Sequence, residues 1–574
     1  MDASRSSSSS STPPSNPTFA SAIPSSFPNP STSTTPAPPS ASTPLFTPPS
    51  SILIIGSGVF GLSTALALTQ RDVFSHTTIT VVDRASSPSS SSSSSSTPVF
   101  PARDASSIDT SRIIRGDYAD PSYAALATQA LRAWRADLSN PDSLGGSGRY
   151  NESGLVLVAD TVPAALEHLS SPPSSSTSTG NPEYGASLLE QHNAKKSGVD
   201  YVRAAWENAV ALGANDPELA SRIKMLPDAD AIRDAVGTGG TSGKSGYINR
   251  YAGWADAEKA MAWLYQRVVD TGRVDFVSGT VTSLTHTGDA ATGAKLQDGR
   301  ILTADLVILA TGAWTASLLD MSGQATATGQ VVAYMDITDE EQASLAEMPV
   351  LLNLTTGLFI IPPSNNVLKV ARHAYGYLNP VEPAAVGTTP LSYSSTPSPT
   401  ATSSTSNPSS SSTPSSRKIS YPRTTQTAPS TTSIPPEGIA SLRSAIVQML
   451  PSHPALHSRP FSKTRLCWYT DTPTGDFIVS YHPFYKGLFV ATGGSGHGFK
   501  FLPVLGGKIC DAVMGRLDDG ELAGKWAWKD RRRGRRVGKA GGEEEEDEMV
   551  VTEDGSRGGV PGLVLDEEMG REVA

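Results

Sequence analysis

The feature that most constrains the fold of this chain is a glycine-rich turn between a predicted strand and a predicted helix. Ser51–Ile55 is a short apolar run, as expected for a strand buried on both faces. Gly56, Gly58 and Gly61 follow at once, and residues 62–69 continue as an apolar helix. In such a unit the first glycine makes the tight turn, the second lets the backbone approach a pyrophosphate, and the third lets helix and strand pack closely.

A second predicted strand, residues 78–82, ends at Asp83, about 20 residues after the third glycine. A carboxylate there can accept a hydrogen bond from an adenosine ribose, and its charge disfavours the 2′-phosphate of NADP. This context favours dinucleotide binding over a glycine-rich turn in some other α/β protein. An amphipathic helix over 254–269 and strand-like residues at 273–277 and 304–310 indicate that the nucleotide-binding fold is split along the chain.

Ser/Thr/Pro-rich tracts and a charged tail interrupt the 574 residues of the chain. Such compositions cannot bury enough apolar surface to offset the entropy lost on folding, so we expect these segments to be disordered. The tracts are 1–48, 86–97, 172–181 and 384–436, and the tail is 528–574.

The formal net charge is −10, and the tail holds a basic run at 531–536 and an acidic run at 543–548. The basic run could be a nuclear address or an RNA-binding patch. Because nothing beside it resembles a nucleic-acid-binding fold, we favour two solvated charge blocks and predict no nucleic-acid partner.

Cysteine content and targeting signals bound the compartment. Cys467 and Cys510 are too few for a disulfide framework or a zinc site, so we expect no metal and a reducing compartment. The first 48 residues contain no apolar signal-peptide core, and glycines interrupt the apolar run 51–69, so we expect no membrane span. Residues 571–574 are not a Ser-Lys-Leu type address, so we predict the cytoplasm, with the peroxisome as the alternative.

Several spaced motifs give residues 50–520 a specific resemblance. They are the Gly56 turn, the segment 109–115, the segment 310–314, the segment 367–373, the Cys467 segment and the segment 494–501. In this order they resemble the FAD-dependent amine oxidases of the D-amino-acid-oxidase superfamily, in the branch of monomeric sarcosine oxidase. Among these the chain looks most similar to the fungal saccharopine, pipecolate and fructosyl-amino-acid oxidases.

The resemblance implies a monomer with an α/β fold: a doubly wound, Rossmann-like FAD-binding domain and an α+β substrate domain with a mostly antiparallel sheet. We expect the FAD-binding domain to be discontinuous, over 49–135, 245–330 and 465–520. The substrate domain is expected over 136–244 and 331–464, with the disordered insert 384–436 inside it.

The resemblance also implies which residues hold FAD. In the family, the thiolate of the Cys-x-Tyr-Thr segment bonds the 8α carbon of the flavin, which predicts this role for Cys467. From the residues alone, an inert buried cysteine is an equal alternative. The predicted cofactor-binding set is Gly56, Gly58, Val59, Phe60, Gly61, Asp83, Arg84, Ser111, Arg112, Val281, Gly312, Trp314, Cys467, Gly496, His497, Gly498, Phe499 and Lys500.

Two cations and the cysteine form the predicted catalytic set, namely Lys369, Arg112 and Cys467. Lys369 matches the family lysine near flavin N5, where a fixed positive charge stabilises superoxide during reoxidation. On strand alternation alone, Lys369 would face solvent. Arg112 matches an arginine over the flavin that holds this lysine or the reduced, anionic flavin.

Arg115 and Lys500 match the two family positions that clamp the substrate carboxylate. Both stand among apolar neighbours, where a cation needs a partner; the alternative is that both are surface charges. Phe359 and Tyr469 complete the predicted substrate-binding set. His373 is predicted to be a structural histidine.

Departures from the family pattern bear on the substrate. Phe359 stands where relatives place a tyrosine, which implies a more apolar wall, and Ser107 and Ile108 stand where some relatives carry a histidine. Fructosyl-amine oxidases tend to have arginine where His497 stands. We therefore predict oxidation of a secondary amino acid such as saccharopine, pipecolate or sarcosine to an imine, with oxygen reduced to hydrogen peroxide. The alternatives are a fructosyl-amino-acid oxidase, a dehydrogenase that uses an electron carrier, and an FAD-bound protein without turnover.

Overall fold

The computed structural model describes residues 46–84, 100–160, 197–392, 418–424, 434–517, 520–529 and 551–571. The chain divides into two compact units, Met1–Phe46 and Thr47–Ala574, and every element below belongs to the second. The predicted disordered tracts 86–97 and 172–181, residues 1–45 and both charge runs of the tail lie outside the described residues. Within the described residues, no helix is long and apolar enough to span a membrane.

The strands alternate with helices in the first part of the chain and follow one another closely in the second. In chain order the strands are β1 Ser51–Ile55, β2 Thr78–Asp83, β3 Arg112–Ile114, β4 Tyr150–Asn151, β5 Leu155–Ala159, β6 Ile223–Leu226, β7 Ser245–Asn249, β8 Gly253–Ala255, β9 Val274–Ser278, β10 Val281–Thr287, β11 Ala290–Leu296, β12 Ile301–Thr303, β13 Leu306–Leu309, β14 Thr326–Asp336, β15 Val350–Asn353, β16 Leu358–Ser364, β17 Val367–Arg372, β18 Pro380–Val381, β19 Ile419–Ser420, β20 Lys463–Asp471, β21 Ile478–Tyr481 and β22 Leu488–Thr492. The helices are α1 Val59–Thr69, α2 Pro121–Arg135, α3 Gly198–Gly213, α4 Pro217–Ser221, α5 Ala229–Val236, α6 Ala257–Asp270, α7 Asp339–Leu345, α8 Pro436–Met449, α9 Leu502–Val513, α10 Gly520–Trp526 and α11 Leu565–Met569.

A six-stranded sheet in the order β21-β22-β13-β1-β2-β9 carries the glycine turn. Its neighbouring strands are parallel, except that β21 runs antiparallel to β22. Helix α1 packs closely on α9, because a Cβ atom at Gly506 would lie 2.0 Å from the Ser63 carbonyl oxygen. The opposite face shares its apolar core with the three-stranded sheet β10-β11-β12. The α/β class and the strands predicted around the turn are confirmed.

The helix predicted over 254–269 begins later than expected. Residues 253–255 form β8, and α6 starts at Ala257. Asp256 is the N-cap, and its carboxylate accepts a hydrogen bond from the Lys259 backbone N–H at 3.0 Å.

An eight-stranded sheet in the order β20-β14-β17-β16-β15-β5-β7-β6 forms the second layer of the molecule. Only the β15–β5 pair among these neighbours is parallel, which confirms the mostly antiparallel sheet. β7, which begins at the predicted boundary at residue 245, pairs with β5 in this sheet. β20, which contains the predicted boundary at 465, pairs with β14 along its whole length.

Alternation along these strands sorts their side chains between two buried faces. One face packs on α8 in a large apolar core that contains Ile360, Leu368, Val370, Leu442, Ile446 and Trp468. The side chains in between point to the other face, where Phe359, Ala371, Cys467 and Tyr469 pack together.

Two segments predicted to be disordered are partly ordered. In the insert 384–436, residues 384–392, 418–424 and 434–436 are placed, and β19 pairs with β18. Residues 551–571 of the tail, hereafter the strap, lie beside the segments that follow β17 and β20, and Leu565 is fully buried. The prediction of disorder is wrong for these residues because their backbone groups form hydrogen bonds with those two segments.

Candidate active site

One long cavity extends from the glycine turn after β1 to the face of the eight-stranded sheet that carries Cys467. Apart from Gly61, it is lined by every residue that the sequence assigned to cofactor, substrate or catalysis: Gly56, Gly58, Val59, Phe60, Asp83, Arg84, Ser111, Arg112, Arg115, Val281, Gly312, Trp314, Phe359, Lys369, Cys467, Tyr469, Gly496, His497, Gly498, Phe499 and Lys500.

The glycines of the turn differ in what surrounds them. Gly56 has a φ of +104°, and a Cβ atom there would lie 2.5 Å from the Ala310 carbonyl oxygen. A Cβ atom at Gly61 would lie 1.8 Å from the Gly56 carbonyl oxygen, so Gly61 packs the helix onto the turn and does not line the cavity. At Gly58 a Cβ atom would meet nothing nearer than the Ser107 hydroxyl, at 3.9 Å. The second glycine therefore leaves open space at the start of α1, as a pyrophosphate requires.

Two side chains beside the turn also fit a bound dinucleotide. The buried Ser107 hydroxyl lines the cavity and has no hydrogen-bond partner among the described residues. Asp83 accepts hydrogen bonds from the Ser57 N–H at 2.8 Å and the Ser57 hydroxyl at 2.6 Å, which fixes its carboxylate at the cavity wall. The turn and Asp83 would hold the phosphates and the ribose of FAD.

The cavity end near β10 has an aromatic and cationic wall. The Arg84 guanidinium lies 4.3 Å from the centre of the Trp314 ring. Thr388 and Tyr421, from the described parts of the insert 384–436, line the same region. These two residues were not predicted, because they stand in a tract whose composition predicts disorder.

Asp109 is the centre of a buried charge cluster at the other part of the cavity. Its carboxylate contacts the Lys369 ammonium at 2.7 Å, forms an ion pair with Arg112, and accepts a hydrogen bond from the Tyr334 hydroxyl at 2.6 Å. Lys369 also donates to the Ser111 carbonyl oxygen at 2.7 Å. Lys369 is thus buried, and the alternative that it faces solvent is wrong. Asp109 was missed as a site residue, although it opens the motif that contains Arg112.

The charged groups of this cluster shift one another's pKa values. Burial would raise the pKa of Asp109, but Arg112, Lys369 and Arg465 together hold it well below its usual range. Burial lowers the pKa of the Lys369 ammonium to about 8, against the opposing effect of Asp109. Near neutral pH the carboxylate is therefore ionised and the ammonium is charged.

The two cysteines lie in different surroundings. Cys467 is buried on the cavity face of β20, and the Arg112 guanidinium lies 3.3 Å from its sulfur. Arg465, two residues earlier on the same strand, donates to the Ile108 carbonyl oxygen at 3.0 Å. Cys510 lies inside α9, away from the cavity, and burial raises its pKa to about 12. Cys467 is thus the cysteine that a bound flavin could reach.

Arg115 and Lys500 are buried cations on the cavity wall, and neither forms an ion pair within the described residues. Arg115 reaches the Tyr201 hydroxyl at 3.5 Å, and its Nη1 atom is buried without a hydrogen-bond partner there. Lys500 donates to the Tyr118 hydroxyl at 2.9 Å and to the His497 carbonyl oxygen at 3.1 Å. Burial, reinforced by the charge of Arg115, lowers the pKa of Lys500 well below its ordinary value. The buried Asp117 acts on both cations only from beyond ion-pair distance, and burial raises the pKa of its carboxyl group.

His497 is fixed within an aromatic cluster at the cavity wall. Its Nδ1 atom lies 2.9 Å from the Tyr118 hydroxyl, its Nε2 atom lies 2.7 Å from the Gly475 carbonyl oxygen, and its ring stacks on Phe477. Gly496 is necessary beside it, because a Cβ atom there would lie 2.3 Å from the Tyr469 ring.

His373, predicted to be structural, lies on the cavity wall. One nitrogen lies 3.5 Å from the Tyr469 hydroxyl, and Arg557 of the strap approaches the same nitrogen at 3.0 Å. Burial, followed by the charge of Arg557, lowers the pKa of His373 well below its usual value. Arg557 was missed, because the prediction for the tail rested on its composition.

Comparison with known proteins gives a consistent result. Residues 51–512 match the profile of a protein family described as DAO, FAD dependent oxidoreductase. The chain is 34% identical to the amino acid oxidase imqH of Aspergillus flavus, over 82% of this chain and 94% of that protein. It is 27% identical to the L-saccharopine oxidase of Schizosaccharomyces pombe, over 83% and 93% of the two chains. The crystal structure of fructosamine oxidase (Amadoriase II) from Aspergillus fumigatus superposes with a TM-score of 0.62 at 22% identity, over 90% and 95%, which indicates a shared fold.

Proposed function

Because the chain belongs to the DAO family of FAD-dependent oxidoreductases, we propose that it oxidises a secondary amino acid at the carbon next to its nitrogen. FAD, when bound, accepts the two electrons and the hydrogen as a hydride, which turns the C–N bond into a C=N bond. Oxygen then takes up two electrons and two protons to become hydrogen peroxide, and water hydrolyses the imine. Saccharopine, pipecolate and sarcosine are the substrates we expect.

The observation that carries this proposal is a pair of buried cations, Arg115 and Lys500, with no carboxylate within ion-pair distance among the described residues. A buried charge without a partner is costly, so the site favours a ligand that supplies a negative group. A planar guanidinium can bind a carboxylate through two parallel hydrogen bonds, and an ammonium adds a point charge. The carboxylate of an amino acid meets both requirements.

The same cations help to prepare the amine. The reacting nitrogen must be neutral to release a hydride from the neighbouring carbon. Nearby positive charges and a dry cavity both disfavour its protonated form. Phe359 and Tyr469 supply the apolar wall of this region.

Lys369 is the residue we assign to the oxygen step. Asp109 and the Ser111 carbonyl oxygen fix its ammonium on the cavity wall. A fixed positive charge in a buried site stabilises an anion that develops next to it, here the oxygen that has received one electron.

We also propose that Cys467 would hold the flavin through a thioether to its 8α carbon. Formation of this C–S bond would release one proton from the thiol and one from the 8α methyl group, and oxygen would take up the two electrons to give hydrogen peroxide. Its burial on the cavity face and the neighbouring Arg112 and Arg465 support this role. Denaturation of the purified protein followed by a visible spectrum tests the bond. Yellow colour that stays with the unfolded chain, and is released from a Cys467→Ala variant, is the expected result; colour that separates from the wild-type chain contradicts it.

The reaction is tested by measuring hydrogen peroxide with sarcosine, pipecolate, saccharopine and a fructosyl amino acid as substrates. Amino acids with a primary amino group are the comparison. Peroxide from a secondary amino acid is expected. Peroxide only from the fructosyl compound favours that alternative, and flavin reduction without oxygen uptake favours a dehydrogenase. Spectral reduction by none of the compounds contradicts the proposal.

For the surroundings of the enzyme, we infer a monomer that works in the cytoplasm. Two buried cysteines that form no disulfide are compatible with such a reducing compartment. Size-exclusion chromatography of the full chain and imaging of a tagged protein test the two statements.

A further inference from the structure

The strap contacts the segments that follow β17 and β20, beside the part of the cavity lined by His373 and Tyr469. The Glu553 N–H donates to the Pro473 carbonyl oxygen at 2.8 Å, and the Leu565 N–H donates to the Leu378 carbonyl oxygen at 2.8 Å. The Leu565 side chain is buried in the large apolar core. The strap is therefore anchored at both ends by backbone pairing and by packing.

The middle of the strap contacts the turn before β16 and the residues just after β17, which include His373 on the cavity wall. The Gly558 carbonyl oxygen accepts a hydrogen bond from the Tyr375 N–H at 3.1 Å, and the Gly558 N–H donates to the His373 carbonyl oxygen at 3.2 Å. A Cβ atom at Gly558 would lie 2.2 Å from the Thr356 carbonyl carbon. Only glycine at position 558 lets the strap backbone lie this close to Thr356. The close approach places Arg557 behind His373 and Tyr469, on the side away from the cavity.

Arg557 is buried and contacts two side chains from separate segments, Asp471 on β20 and His373 after β17. Its guanidinium lies 2.6 Å from the Asp471 carboxylate and donates to the Ser495 carbonyl oxygen at 2.8 Å. Its other terminal nitrogen lies 3.0 Å from Nδ1 and 3.2 Å from Nε2 of His373. The same guanidinium lies over the Tyr469 ring, 5.3 Å from its centre.

This contact places a positive charge against the imidazole. The same guanidinium nitrogen lies 3.0 and 3.2 Å from the two ring nitrogens, so it packs against the ring and does not sit on the lone pair of one nitrogen. The charged groups around His373 are Arg557, Arg115 and Lys500, with His497 and Tyr469 beside them, and all three charges disfavour a protonated ring. The strap thus helps to keep His373 neutral and packs against it.

We propose that Arg557 is a positioning residue for substrate binding, and that the strap completes the substrate pocket by holding His373 and Tyr469 against the bound amino acid. This inference rests on the proposed function. The strap lies beyond residues 51–512, the region that matches the family profile, so the family match assigns it no role.

The test compares four full-length proteins with bound FAD: wild type, Arg557→Met, Arg571→Met and the double variant Asp471→Asn with Arg557→Met. Arg571 is the matched control, because it lies on the same strap, is exposed, and pairs with Glu568 away from the cavity. The double variant removes the buried charge that Arg557→Met leaves without a partner, and so separates folding from positioning.

Two measurements are made on each protein: steady-state kinetics with the best secondary amino acid, and titration with acetate, an unreactive carboxylate, followed by the FAD difference spectrum. For Arg557→Met we expect KM and the acetate Kd to rise about tenfold to a hundredfold with kcat little changed. The double variant should recover the resistance to urea but keep the raised KM. Arg571→Met should behave as wild type.

Several results would overturn the inference: an unchanged KM in a folded Arg557→Met variant, or a KM that recovers in the double variant together with stability. Loss of acetate binding in Arg571→Met to the same degree would also overturn it, and so would a wild-type protein that does not bind acetate. If the wild type binds acetate but gives no peroxide with any amine, the proposed function fails, and the acetate titration still decides the role of Arg557.

Discussion

Two groups of buried cations lie on the same cavity and differ in their counter-charge. Lys369, Arg112 and Arg465 surround the Asp109 carboxylate, whereas Arg115 and Lys500 have no ion-pair partner among the described residues. Arg112 and Arg115 come from the same short segment at β3, and Lys369, Arg115 and Lys500 are all buried. In the Asp109 cluster the counter-charge belongs to the protein, which supports the proposal that the Arg115–Lys500 pair binds the anion of a ligand.

The difference between the two groups is tested most strongly by removing the Asp109 carboxylate. In an Asp109→Asn variant, three buried cations lose their counter-charge, and we expect the free energy of unfolding to fall by about 3–5 kcal/mol. Urea unfolding measures this, and the amount of FAD per chain should fall with it. Asp298→Asn is the control, because Asp298 pairs with Arg300 on the surface, and no measurable change is expected there. Equal stability of the two variants would show that Asp109 does not hold the cluster together.

The role of the Asp109 cluster in the oxygen step is tested by Lys369→Met. We expect anaerobic reduction of the flavin by substrate to remain, and the reaction of the reduced protein with oxygen to slow by about 10²- to 10³-fold. Stopped-flow absorbance measures the two half-reactions separately. Lys486→Met, on an exposed lysine, should leave both rates unchanged. If reduction slows and reoxidation does not, Lys369 serves the substrate and not oxygen.

Removing a member of the Arg115–Lys500 pair should weaken substrate binding and leave stability intact, in contrast to Asp109→Asn, which should lower stability. For Arg115→Met we expect the free energy of unfolding to stay the same or rise, because a buried charge without an ion pair disappears. KM for the amino acid should rise about 30- to 1,000-fold, as for the loss of one partner of a buried charge pair. Arg203→Met, on the surface of α3, is the control. A loss of stability as large as that of Asp109→Asn would remove the distinction between the two groups.

The smallest expected effect is a pH dependence. The pKa of Lys369 is about 8 in the folded protein, against an ordinary value of 10.5. The rate of the reaction with oxygen should therefore fall as the pH rises through about 8, by up to tenfold per pH unit once the ammonium is mostly neutral. Above pH 8 the unfolded chain binds more protons than the folded one, so this lysine makes stability rise between pH 8 and 10.5. A Lys369→Arg variant should lose the decline, and a rate that stays flat to pH 10 in the wild type would contradict the assignment.

The sequence predicted well what depends on local spacing. The strand, the turn and the helix around Gly56 follow from glycines at fixed offsets, because turn geometry and close packing act between neighbours in the chain. The predicted site residues other than Gly61 all lie on the cavity wall, although their functions remain predictions. Gly61 has the packing role predicted for the third glycine of the turn.

What the sequence did not predict depends on contacts between distant residues. Nothing in the neighbours of Lys369 shows which face of β17 is the apolar core and which is the cavity, since both faces are buried. Asp109 meets Lys369 across 260 positions of sequence, and Arg557 meets His373 across 184. The strap and Tyr421 were missed because a composition describes the average of a segment, and a few anchored residues can order part of it.

The segment at β3 sets a fixed length scale for the enzyme. Arg112 contacts the cysteine, and Arg115, three residues later and about 10 Å further along an extended chain, lies at the proposed carboxylate site. β3 is held by β8 through the pairs of Arg112 with Ala255 and Ile114 with Gly253, so this spacing cannot stretch. Redesign of the pocket for bulkier or smaller amino acids should therefore change the side chains at Phe359 and Tyr469 and keep the spacing between Arg112 and Arg115.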